Sequence, residues 1–515
     1  MFKLITITDT EDSLYQLGLQ EKEAFHRIYE RVSHILGDNE VLSTFIEFAG
    51  RAKVILEYKQ KTLFHQALRS YSEGLGIHPS KYLTFLLLIE LAAQKNIFPD
   101  LKSLLPGCTS IFQKKDEKIT HLRIVDFPLI EAFENNQRFY HWKLPGRPNV
   151  LTYSSPGLAL LFINGIHESG MSFSLHHKTS VNCNKNGKTI FEILFNSIFD
   201  AKDLNRWKEL LKNQSAFSKW GIYAVDAKGE VLACDLDHIS YHKKQYSLKE
   251  TPDVLFTNVS LQSHDDESHQ FLKFTHSRQT WIKNELEKPL KDHPLDQFTD
   301  VSHQKSKSWN HPAATLSTIA AYYINLTEGY IDFKVSDSGP ITKSDMIARL
   351  NLGTGEFTTI KEKGKETSFE KAWKTAGLAQ ASFDKKDPEM GYHQLQMAIA
   401  LMPDKTWKSI WEFFQMAWEY KIIGNNQELS LIYEKLKKLK LPALLNDQKN
   451  FMTLKFEKRL GLQKTISTSD LSIPYKNLYD ELDKLNPLVF YGHTKTQSVR
   501  LEILEIFSPS YLKDL

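Results

Sequence analysis

The stretch of this chain best equipped for chemistry is PGCTSIFQKKDEKITHLRIVDFP, Pro106 to Pro128. It reads as a β-hairpin: Cys108 to Gln113 makes one strand, Lys114–Lys118 a charged turn, and Ile119 to Phe127 the return. A hairpin keeps its strand ends together, so Cys108 can meet the Arg123–Asp126 end of the partner strand. A cysteine beside a fixed guanidinium has its thiolate stabilised and acts as a nucleophile. Asp126 could orient that guanidinium through a bidentate pair. The spacing sets a condition. Arg123 and Asp126 are three residues apart, so on a regular strand they face opposite sides. A shared site requires a bulge, or a strand that ends near Val125.

A lone strand cysteine is usually a small buried hydrophobe. Cys183 and Cys234 are read that way. Cys108 is not, because a Gly-Cys-Thr-Ser start and an Arg/Asp pair surround it. Three cysteines cannot form a disulfide framework and fit a reducing compartment. Other clusters are weaker. Ser263 to His269 holds metal-capable side chains without a fixed ligand spacing and reads as a solvated loop. His176 and His177 are adjacent on a strand, point to opposite faces and cannot chelate together. Gly353 and Gly355 lack both the lysine of a phosphate loop and the strand of a dinucleotide site. No cofactor and no metal is expected.

These residues need elements to hold them. At 515 residues the chain is long enough for two to four domains, by the rule of roughly 100–200 residues each. Its 41% hydrophobic and 25% charged residues are those of an ordinary globular protein. A net charge of +3 is too small to favour a nucleic-acid partner. The longest apolar stretch, about Tyr82 to Ala93, is too short to span a bilayer and reads as a buried helix. No signal-peptide core is visible in MFKLITITDTEDSLYQLG, and a cytoplasmic location is expected.

Leu4 to Thr8 reads as a strand. Leu14, Leu17, Phe25, Ile28, Val32 and Ile35 then share one helical face. From Pro106 to about Pro340 the texture is strands and turns, including Gly157–Asn164 and Ala313–Tyr323, interrupted by one clear helix, Ile190–Leu211. After about Ser344 the pattern is helical to the end. Trp407, Ile410, Trp411, Phe414 and Trp418 form one apolar stripe there, and Leu429, Ile432, Tyr433, Leu436 and Leu439 form another. A stretch ending in Pro403 looks like one tetratricopeptide-type helical pair, without a clean repeat.

Cys108-Thr109-Ser110-Ile111, a hairpin, and Arg123-Ile124-Val125-Asp126-Phe127 together resemble the cysteine N-terminal-nucleophile (Ntn) hydrolases. That superfamily includes acid ceramidase, the N-acylethanolamine amidases, choloylglycine hydrolases and penicillin acyltransferases. Members carry Arg-Asn-x-Asp-Phe, so Ile124 is a departure. FINGIHESGMSFSL, Phe162 to Leu175, is similar to the family's next strand pair, with His167 where an Asn is usual. VLFTNVS is similar to its Thr-Asn segment and offers Asn258 as the oxyanion-hole amide. THSRQTW offers Arg278. The likeness spans roughly residues 1–340.

The resemblance implies an α+β fold: a four-layer αββα sandwich with an all-helical region after it. The expected units are a mostly helical, propeptide-like segment 1–107, a catalytic core 108–344 and a helical domain 345–515. It also implies that the precursor cuts itself between Gly107 and Cys108. Gly107 suits this, since it has no Cβ to shield its carbonyl. The freed α-amine, with a pKa near 7.7–8.0, can serve as the base. The Cys108 thiolate would then attack a linear amide of an N-acyl substrate, with Arg123, Asp126, Asn258 and Arg278 around it. The same site could run as an acyltransferase. A third reading is an inactive core whose helical tail binds a protein partner. A homo-oligomer is compatible with all three.

Overall fold

The computed structural model describes residues 2–36, 50, 62–91, 108–127, 138–178, 184, 187–237, 241–261, 270–289, 292–302, 313–334, 339–385, 387–472, 475–477 and 479–480. Gly107, Cys183 and the Ser263–His269 cluster lie outside them, as does everything beyond 480.

Two sheets form the centre. The first runs β1 (Lys3–Ile7), β4 (Arg138–Trp142), β5 (Val150–Ser154), β6 (Asn164–His167), β7 (Met171–His177), β8 (Trp220–Val225), β9 (Glu230–Leu236) and β10 (Tyr241–Ser247). The second runs β11 (Asp253–Phe256), β2 (Cys108–Lys115), β3 (Lys118–Asp126), β12 (Thr318–Asn325), β13 (Tyr330–Lys334), β14 (Ile347–Asn351) and β15 (Phe357–Lys361). Every pairing among them is antiparallel except β1 with β4.

Side-chain alternation tells which face of each strand meets which layer. Phe139, Tyr153 and Ile166 of the first sheet pack against Val125, Tyr322 and Phe333 of the second. Tyr223 and Val225 of the first pack against Phe112, Val254 and Phe256 of the second. The outer face of the first sheet is covered by α1 (Asp12–Leu36), α2 (Leu63–Gly74), α3 (Pro79–Leu91), α4 (Ile190–Asp200) and α5 (Leu204–Lys212). The outer face of the second, around Ile111, Leu122 and Ile124, is covered by α6 (Gln270–Leu286) and α7 (Pro294–Thr299). The result is the expected α+β, four-layer αββα sandwich.

The N-terminal segment is built into this core. Glu21 of α1 is buried, and its carboxylate accepts from Tyr71 Oη at 2.5 Å, Tyr140 Oη at 2.8 Å and Gly157 N–H at 2.9 Å. Gly157 has φ +86°, and a Cβ there would lie 2.8 Å from the Phe25 main chain. Only glycine allows that approach.

The observed elements depart from the sequence expectations in five places. The expected strand Ala313–Tyr323 begins only at Thr318. Gly157–Asn164 is a buried connection rather than a strand; β6 begins only at Asn164. Its run of apolar residues reflects burial under the helices, which periodicity cannot tell from a strand. Ile190–Leu211 is two helices, because Asp203 caps a second one through Arg206 N–H. Gln270–Leu286 and Pro294–Thr299 are further helices inside the strand-rich region. Finally, β14 and β15 extend the second sheet past Ser344, so the helical stretch begins at Ser368. Their short alternating sequences, IARLN and FTTIK, carry little apolar signal.

The C-terminal helices are α8 (Ser368–Asp384), α9 (Pro388–Leu401), α10 (Lys405–Ile422), α11 (Asn426–Lys438) and α12 (Asn446–Leu460). Both expected apolar stripes are core: Trp407, Ile410, Trp411, Phe414 and Trp418 are buried, as are Leu429, Ile432, Tyr433, Leu436 and Leu439. Trp373 of α8 meets Trp407 edge-on at 4.7 Å. Among the described residues, no helix is long and apolar enough to cross a membrane.

Candidate active site

The hairpin is present with the register that brings its ends together. Cys108 pairs with Val125 and Ser110 with Arg123. Its turn is only two residues, Asp116 and Glu117, both at positive φ (49° and 60°). This matches the twist of the flanking strands. Cys108, Ser110 and Phe112 alternate onto the face toward the first sheet, with His121, Arg123 and Val125 opposite them. Thr109 and Ile111 face away, toward the helices.

Cys108 is 4% exposed. Its Sγ accepts from Arg123 Nη2 at 3.0 Å. Burial pushes the thiol pKa up, and the Arg123 charge opposes that rise. Arg123 itself is completely buried, and all five of its N–H groups have acceptors. Nε donates to Asn164 Oδ1 at 2.6 Å, and Nη1 to His176 Nε2 at 2.7 Å and Thr109 O at 3.5 Å. Nη2 donates to Cys108 Sγ and to Leu175 O at 2.9 Å. A guanidinium with every arm engaged has one orientation.

Asp126 does not stand where the sequence reading put it. Its Oδ2 lies 3.0 Å from Arg278 Nη1, both side chains 1% exposed, and its Oδ1 accepts from Thr318 Oγ1 at 2.6 Å. Arg123 is oriented by Asn164 and His176 instead. The face rule explains this: three residues on from Arg123, Asp126 turns toward the helical layer that carries Arg278. The bulge that a shared site would need in β3 does not occur: β3 keeps its alternation to Asp126, and the extra residue of the irregular pairing lies in β12. β3 ends at Asp126, and the register of β12 slips between Thr318 and Ala320 opposite it. Both Asp126 and Arg278 still act electrostatically on Cys108, the carboxylate raising its pKa and the guanidinium lowering it.

Asn258 follows β11 and is buried beside the cysteine main chain. Its Oδ1 accepts from Cys108 N–H at 2.9 Å, and its Nδ2 donates to His177 O at 2.9 Å. Lys178, also buried, donates to the carbonyls of Thr257 at 2.7 Å and Val259 at 2.5 Å, gripping the segment on both sides of Asn258. The residues that sequence reasoning missed are thus Asn164, His176 and Lys178. Asn164 was within a recognised segment. His176 was weighed only as a metal ligand, and a buried lysine leaves no mark in composition.

The structure brings Cys108, Arg123, Asp126, Asn258 and Arg278 together around one strand end. Cys234 is apart from them, buried in β9, with its thiol pushed well up by burial.

No protein-family model matches the chain, and no curated protein matches it. Solved structures do. The chain is similar to a Caenorhabditis elegans ortholog of N-acylethanolamine-hydrolyzing acid amidase, at 14% identity and TM-score 0.31, covering 42% of this chain and 93% of that one. A mutant of conjugated bile acid hydrolase from Clostridium perfringens matches at 12% identity and TM-score 0.29, over 50% of this chain and 98% of that one. Penicillin V acylase from Agrobacterium tumefaciens matches at 8% identity and TM-score 0.29, over 50% and 99%. Each match covers nearly all of the solved chain and half or less of this one.

Proposed function

We propose that the chain is a self-processing amidohydrolase that cleaves the linear amide of an N-acyl compound through Cys108. The observation that supports this best is the contact of Arg123 Nη2 with Cys108 Sγ at 3.0 Å, made by a buried guanidinium with no rotational freedom. The chemistry follows from the parts. Scission between Gly107 and Cys108 converts the Cys108 amide nitrogen, held by Asn258 Oδ1, into an amine. That amine can take the thiol proton at neutral pH, which an amide nitrogen cannot. The Arg123 charge lowers the cost of the thiolate in a buried place. Sulfur attacks the substrate carbonyl, the amine proton passes to the leaving nitrogen, and water then releases the acyl group. Asn258 holds the nitrogen that serves as the base through its Oδ1, and its Nδ2 amide is the donor assigned to the developing oxyanion. The Asp126–Arg278 pair fixes the strand end that carries Val125 opposite Cys108.

The test is denaturing mass spectrometry of the purified protein, together with turnover of a fluorogenic N-acyl amide. Two fragments, the larger beginning at Cys108, and a Cys108→Ala variant with neither cleavage nor turnover, are the expected result. A wild-type protein that stays whole and inert overturns the reading. Acyl transfer to an added amine in place of water would assign the acyltransferase variant of the same site.

A further inference from the structure

The middle of the sandwich carries polar side chains that the nucleophile does not account for. Ser110 and His121 come from the hairpin and Ser172, Ser174 and His176 from β7; all five are completely buried. Ser110 Oγ is 2.8 Å from Ser174 Oγ, 2.8 Å from His176 Nε2 and 3.1 Å from His121 Nε2. His121 Nδ1 is 2.8 Å from Ser172 Oγ. The other end of this chain of contacts is Arg123 Nη1, 2.7 Å from His176 Nε2.

Donor counting fixes where the protons sit. A guanidinium only donates, so His176 Nε2 carries no hydrogen and its ring proton is on Nδ1. Ser110 Oγ–H, if it turns to the same Nε2, shares that nitrogen's one lone pair with Arg123. Its Oγ then accepts from Ser174 and from His121 Nε2–H. His121 consequently accepts at Nδ1 from Ser172. Every contact has one donor and both rings are neutral. Facing His176 are Arg123, His121, Lys178 and the Tyr223 ring, the last at 4.8 Å. Burial, and then the Arg123 charge, hold both histidines well below their ordinary range.

We propose that His176 is a positioning residue for Cys108: as the neutral Nδ1–H tautomer it accepts one arm of Arg123 so that the other arm meets the sulfur, with Ser110, His121 and Ser172 in one hydrogen-bonded chain beside it. This rests on the reading of Cys108 as the nucleophile. An apolar ring in place of His176 strands a buried N–H of Arg123, whose unmet hydrogen bond costs about 1–3 kcal/mol. The guanidinium then turns to find another acceptor, and the sulfur loses its partner.

The experiment uses mature protein in a Cys183→Ala/Cys234→Ala background. Iodoacetamide alkylation of Cys108 is followed by mass spectrometry from about pH 5 to 10, spanning the thiol and α-amine ranges. The expected result for His176→Phe is an apparent thiol pKa about one unit higher, so about tenfold slower labelling at pH values below it. His176→Gln, whose amide oxygen can accept from Nη1, restores most of the rate. Should His176→Phe not fold, His176→Leu, which likewise offers Nη1 no acceptor, shifts the profile in the same direction. A folded His176→Phe, or failing that His176→Leu, with the parental profile overturns the inference. So does a Gln variant as slow as the Phe one, which would mean packing alone. Arg123→Leu separates the two levels. If it shifts the profile while His176→Phe does not, only the positioning role falls. If it leaves the profile unchanged, the nucleophile reading falls and the positioning role with it.

Discussion

Arg123 Nη2 stands 3.0 Å from Cys108 Sγ, fifteen residues away in the chain and directly across one hairpin. The contact exists because Ser110, not Cys108, is the register partner of Arg123. The guanidinium therefore reaches diagonally along the strand to the sulfur at its first residue.

That diagonal makes Arg123 hard to replace. Arg123→Lys keeps the charge but gives up the planar fork that five acceptors require. Its turnover of an N-acyl amide is expected to fall about 10²–10³-fold in kcat, the range for losing one oriented donor beside a reacting charge. Steady-state kinetics check this, and an unchanged kcat removes the guanidinium from the reaction.

Asn258 should separate chemistry from binding. Asn258→Ala loses the acceptor on the Cys108 nitrogen, and kcat is expected to drop about 10²–10³-fold with a smaller change in KM. Lys178→Met releases the carbonyls on either side of Asn258 and is expected to lower kcat in the same direction. A kcat equal to wild type in Asn258→Ala would place the amide outside the mechanism.

Asp126 and Arg278 form a buried pair, and each should be worth more as a partner than alone. Breaking one side leaves an uncompensated buried charge, at a cost of about 3–5 kcal/mol. Denaturant unfolding of Asp126→Asn, Arg278→Met and the double variant should show strong non-additivity, the double being much less damaged than the sum. Additive losses would mean that the two side chains act independently.

Stability should fall on the acid side because of histidines kept neutral. His177 is pushed down to about 3 by burial and then by the Lys178 charge. Unfolded, it binds a proton below about pH 6.5 that the folded chain refuses. Its contribution is therefore complete above that pH and is lost as pH falls below it, by about 2 kcal/mol at pH 5. His121 and His176 act in the same direction. Glu21, raised by burial, acts oppositely, with stability falling as pH rises above 4.5. Calorimetry of His177→Phe, which keeps the edge-on packing against Trp220, should show a larger gain in Tm at pH 5 than at pH 8. Equal gains at both pH values would contradict this.

The hairpin was legible from residue types alone, because a charged turn between two β-branched runs admits few alternatives and fixes which ends meet. The partner of Asp126 was not. Strand alternation indicated that it faces away from Arg123, but the helix carrying Arg278 has too little apolar periodicity to be recognised among strands. The apolar connection after Gly157 misled for the reverse reason: it is buried on all sides, and burial without alternation resembles an interior strand. β14 and β15 escaped because their outward residues are polar and their inward ones few. The histidines of the site could not be distinguished from ordinary core histidines until the facing sheet placed Ser110 and Arg123 against them.

β1 lies beside β4 in the first sheet, and Glu21 ties α1 to Tyr140 and Gly157. If the backbone is severed ahead of Cys108, this front piece remains docked by contacts alone. Melting would then release two separate polypeptides, and recovering the native state would require them to find each other again. Renaturation would become second-order, with a yield that depends on protein concentration. Such a molecule is assembled once, as a single chain, and has no equally short route back.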